Sequence, residues 1–150
     1  MKKLLTILIL FFPLVCTADY DQEKIRHTID ENKSIFGVIG WRLTENGGAY
    51  LADTATPNMV LSVGPYDAGM MLAVDDVDNS FAAIFSCIKL AEIGLQTQDK
   101  QINQRVFAAF SSGESHAIAH NNVVFSVEQE QIGSATFVSC QLKDQKQRGF

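Results

Sequence analysis

The chain has 150 residues, 47% of them apolar and 19% charged, which is enough for one domain with a real core and outside the range of disordered, collagen-like or low-complexity chains. Seventeen acids against twelve bases give a net charge of -5 and an isoelectric point near 5.1, the wrong sign for gripping a phosphate backbone, so nucleic acid is not an expected partner.

Residues 1–18 read as an export signal. Lys2 and Lys3 precede an apolar run from Leu4 to Val15, and Cys16 and Ala18 are small residues at the -3 and -1 positions of a peptidase site, so cleavage before Asp19 is expected. The run is shorter than the roughly 20 residues of a spanning helix, and Pro13 interrupts it, so no integral membrane segment is expected after cleavage. A lipidated Cys16 is the competing reading; Val15 and Pro13 stand where such signals carry other residues. Cleavage removes two bases, no acid and one of three cysteines, leaving Cys87 and Cys140. An even pair in an exported chain points to a disulfide.

The rest divides into a domain over 19–142 and a flexible tail over 143–150. Asp19–Lys33 carries Tyr20, Ile25 and Ile29 at near-helical spacing, which predicts a short amphipathic helix. Ile35–Leu43 is rich in strand formers, Asn46-Gly47 ahead of Ala49–Leu51 signals a hairpin, and Met59–Val63 and Gly69–Val74 flank a Gly64–Asp67 turn. Capping residues over Asp75–Ser80 open a long apolar helix, with Phe81, Ile84, Phe85 and Ile88 at i, i+3, i+4, i+7. Beyond a polar link at Gln96–Gln101, strands are predicted at Ile102–Ser111, Asn122–Glu130 and Ser134–Leu142. Short connections imply antiparallel pairing. The expected class is α+β: an antiparallel sheet packed on one long apolar helix, with the short N-terminal amphipathic helix beside it.

Motifs for chemistry are sparse. No G-x-S-x-G, HExxH, Walker loop or complete dinucleotide fingerprint occurs, and no cofactor is expected. Glu114, His116 and His120 form an E-x-H-x3-H cluster. On a helix the two histidines would stack and share a zinc ion; on a strand their positions stand about 13 Å apart, and Gly113 and Asn121-Asn122 suggest a solvent-facing hairpin loop instead. Asp75, Asp76 and Asp78 lack the glycine and glutamate of an EF-hand loop and read as helix caps.

Charge layout carries the functional expectation. Between Arg42 and Lys89 stand six acids and no base. The sequence therefore predicts an exported, non-enzymatic binding protein of the bacterial envelope, periplasmic or secreted. It would act as an inhibitor, immunity or accessory factor toward a basic protein partner, through Asp67, Asp75, Asp76, Asp78 and Tyr66. The alternative is a periplasmic small-ligand or metal-binding protein using the His116/His120 loop.

Overall fold

A computed structural model describes residues 19–74 and 77–147; the expected signal, residues 1–18, lies outside them. The Asp21 side chain accepts from the Lys24 amide at 3.0 Å and opens helix α1 (Gln22–Glu31), whose buried Ile25 and Ile29 lie one turn apart. A four-residue helix α2 (Lys33–Phe36) ends at Gly37, where φ is 62°. Glycine enters this left-handed region freely, and a Cβ here would also stand 2.6 Å from Thr56 Oγ1.

Four strands follow, β1 (Val38–Leu43), β2 (Tyr50–Thr54), β3 (Met59–Val63) and β4 (Asp67–Val74). Then come helices α3 (Val77–Leu95) and α4 (Lys100–Ser112), and strands β5 (His116–His120), β6 (Val123–Ile132) and β7 (Ala135–Asp144). All seven strands form one antiparallel sheet in the order β1-β2-β3-β4-β7-β6-β5. Each run of strands is a meander. The second folds back after the helices, so β7 rather than β5 closes against β4 and joins the two meanders.

The α+β class and the antiparallel sheet are as expected from the sequence, but the helical layer holds more than one long helix. Residues 102–111, expected as a strand, belong to α4. Ile102, Val106 and Ala109 are its buried residues, spaced i, i+4, i+7, and Asp99 caps it by accepting from the Gln101 amide at 2.9 Å. The helix stops at Gly113, φ 69°. The strand missing from that stretch is supplied by His116–His120, which the sequence assigns to a loop. At the other end, β7 carries on through Lys143 and Asp144, assigned to the tail, and a 3-10 turn covers Gln145–Gln147. Lys146 Nζ there meets Asp19 Oδ1 at 2.8 Å.

The core lies between the sheet and α1, α3 and α4. Cys87 on α3 and Cys140 on β7 are fully buried and form the disulfide that cysteine parity predicts, with Cα atoms 5.6 Å apart. Closing 53 residues of sequence restrains the unfolded chain by about 4 kcal/mol in the loop-entropy account. Two turns further along α3, Gly94 brings the helix backbone onto β7 so closely that a Cβ would overlap the Leu142 isobutyl group. Glycine inside a helix ordinarily costs about 1 kcal/mol relative to alanine. At this position the sign is expected to reverse: Gly94→Ala should lower stability by about 1–3 kcal/mol in urea denaturation, because the added methyl overpacks the junction. A stabilised variant would show that α3 does not approach β7 so closely.

Candidate binding face of the sheet

Burial alternates along the central strands. Met59, Leu61 and Val63 on β3, Ala68, Met70 and Leu72 on β4, Val123, Phe125 and Val127 on β6, and Val138, Cys140 and Leu142 on β7 are all buried under the helices. The intervening residues project from the other side, where no described element covers them. One row of this open face, read across the register, is Arg42, Leu51, Ser62, Gly69, Gln141, Ser126 and Ala117. A neighbouring row holds Val60 and Met71, 56% and 44% exposed, followed by Ser139 and Glu128.

Gly69 leaves the middle of the face without a side chain. The result is a furrow of about 140 Å³ bordered by Val60, Ser62, Asp67, Met71, Ser139 and Gln141. Its walls are aliphatic and thioether groups set next to hydroxyl, amide and carboxylate groups. Acids outnumber bases here: Asp53, Asp67, Glu128 and Glu130 against Arg42 and Lys143, with Arg42 Nε already held 3.4 Å from Asp53 Oδ1.

The expected binding residues divide between two ends of the molecule. Asp67 opens β4, and Tyr66 beside it in the β3–β4 turn is half exposed while its carbonyl accepts from the Asp144 amide at 2.9 Å. Asp75 and Asp76 lie outside the described residues. Asp78 falls in the first turn of α3, beyond the far end of β4, which spans about 23 Å from Asp67 to Val74. Tyr20, whose hydroxyl donates to the Gly64 carbonyl at 2.8 Å, is pushed well above the ordinary tyrosine range, first by burial and then by the Asp67, Asp144 and Asp21 carboxylates.

Glu128 and Glu130 were legible in the sequence. Val123, Phe125 and Val127 alternate as a buried face, which places both glutamates on the opposite side.

His116 and His120 occupy the two ends of β5, opposite Val127 and Val123, so both lie on the helical side of the sheet, four residues apart. That puts their backbones about 13 Å apart. His116 Nε2 is buried with no hydrogen-bond partner, and no group of three or more His, Cys, Asp or Glu among the described residues is arranged to hold a metal ion.

At the β1 edge a polar network fixes α1 to the sheet. The Arg26 guanidinium pairs with Glu23 at 3.0 Å and Asp30 at 3.3 Å and lies 5.0 Å over the Tyr50 ring. Trp41 Nε1 donates to Asp30 at 2.6 Å, and the Tyr50 hydroxyl donates to Glu23 at 2.7 Å.

No family model matches the chain, and no curated protein or solved structure matches it. No helix among the described residues is long and apolar enough to cross a membrane.

The Tyr50 hydrogen bond, followed by the bond from Arg26, holds the Glu23 carboxyl below the ordinary glutamate range. A carboxylate whose pKa is depressed on folding contributes stability above its unfolded pKa and loses it as pH falls through the folded value. An NMR titration should therefore place the Glu23 midpoint below that of an ordinary glutamate, and Tyr50→Phe should raise it. An unchanged midpoint in the variant would remove the Tyr50 bond from the account.

Proposed function

We propose that this chain is an exported, non-enzymatic binding protein of the bacterial envelope that takes a basic protein partner on the open face of its sheet. One observation carries the reading: among the described residues the seven-stranded sheet is covered on one side only, and its bare side sets half-exposed Val60 and Met71 around a furrow rimmed by Asp67, with Glu128 and Glu130 nearby. Apolar anchors supply affinity in such contacts, while complementary charge steers encounter and selects the partner. Export is supported by the signal-like residues 1–18 and by the buried Cys87–Cys140 bond, a linkage that persists in oxidising compartments. Within this reading the partner is a cationic toxin or cell-wall enzyme, and half-exposed Tyr66, next to Asp67, extends the contact beyond the furrow.

The test is capture of partners from envelope extract at low and at raised salt. Binding should weaken as salt rises, and Asp67→Lys/Glu128→Lys should reduce it at least about tenfold by opposing the incoming charge. Binding that ignores salt and survives both substitutions would overturn the acidic face. Loss of the same binding on His116→Ala, with added zinc restoring nothing in the variant, would favour the metal or small-ligand reading.

A further inference from the structure

The two edges of the sheet are guarded differently. At one, Arg105 on α4 donates through Nη1 to the Ala117 carbonyl of β5 at 3.2 Å, and β5 is only five residues long. A short, capped strand resists addition of another. At the other edge, the Thr44 amide donates to the Ala49 carbonyl at 2.8 Å. Antiparallel alternation counted back from that pair turns the backbone groups of Arg42 and Gly40 toward β2 and those of Trp41 and Leu43 outward. Among the described residues β1 pairs with β2 alone, so these outward amides and carbonyls meet no other described strand. Two large apolar side chains stand beside them, Ile39 at 74% exposure and Leu43 at 54%.

We propose that β1 is the contact through which two copies of this chain pair, β1 against β1 in antiparallel fashion about a two-fold axis at Trp41. Charge selects this register. An axis at Arg42 would set two guanidinium groups directly opposite each other, which is unfavourable. An axis at Trp41 sets Ile39 opposite the second copy's Leu43, joining the exposed apolar residues, and sets Arg42 opposite the second copy's Gly40. A Cβ at Gly40 would meet nothing within 4 Å, so the long arginine side chain has room to cross it. Asp53 is the cross-strand neighbour of Gly40 and already pairs with the Arg42 of its own chain, so the two-fold axis generates an alternating set of two arginines and two aspartates.

The same geometry limits growth. The bulge between Val38 and Gly40 ends the regular ladder on one side, and the Thr44–Ala49 turn ends it on the other. With the β5 edge capped, a two-fold contact closes at a dimer and does not propagate into a fibre. Both helical layers lie on one side of the joined sheet and both open faces on the other.

Sedimentation velocity over a range of concentrations, on the protein as processed by an exporting host, tests this. A concentration-dependent dimer is expected, and Ile39→Lys/Leu43→Lys should weaken it at least about tenfold while circular dichroism stays unchanged, because both side chains are exposed. An Ile39→Cys variant mixed with a Leu43→Cys variant should cross-link on oxidation, and neither should do so alone. A monomer at every concentration, a dimer indifferent to the two lysines, or cross-linking of Ile39→Cys to itself would each overturn the proposal.

Discussion

Everything in this chain hangs on how closely α3 meets β7. Two of the contacts in that junction are the Cys87–Cys140 bond and the bare backbone of Gly94 under Leu142. β7 is also the strand that joins the two meanders, since it lies between β4 and β6. A helix fixed to that one strand therefore holds both halves of the sheet in one layer. The burial of Leu90, Ala91 and Leu95 on α3 against the inward residues of β4, β6 and β7 follows from it.

Covering one side so fully decides the character of the other. Hydrophobic burial on the helical side supplies the stability, which leaves the outward residues free of that duty. They are a mixture of serine, glycine, glutamine, acids and a few half-exposed aliphatics. That composition resembles neither a sealed core nor a uniformly charged solvent face, and it sits on strands held in a continuous hydrogen-bonded sheet. Recognition residues held on strands are positioned more firmly than residues on loops, because the ladder fixes their spacing. The edge strand β1 extends the same surface: its outward backbone and its Gly40 and Arg42 lie at the border of the open face.

The sequence made some of this legible and not the rest, for physical reasons. Strict alternation in Val123–Val127 revealed both faces of β6 without any structure. The even cysteine count and the core-side placement of Cys87 and Cys140 were enough to pair them. Helix α4 reads as a strand in the sequence because Val106-Phe107 and Phe110 are residues common in strands, and their weight masks the i, i+4, i+7 set of Ile102, Val106 and Ala109 together with the Asp99 cap. With α4 a helix that ends at Gly113, the strand beside β6 is His116–His120, its two histidines notwithstanding. The acids from Asp67 to Asp78 are close in sequence, yet an eight-residue strand divides them, so proximity along the chain is a poor guide to a shared surface.

Among the described residues β4 has one covered and one bare side, and two adjacent methionines report on it directly. Met70 faces the helices and is 2% exposed; Met71, the next residue, faces the open side and is 44% exposed. Thioether oxidation follows exposure. Mild peroxide treatment of the folded protein, followed by peptide mass spectrometry, should oxidise Met71 well before Met70, and the difference should vanish when the protein is reduced and unfolded. Equal rates in the folded protein, or faster oxidation of Met70, would contradict the one-sided sheet.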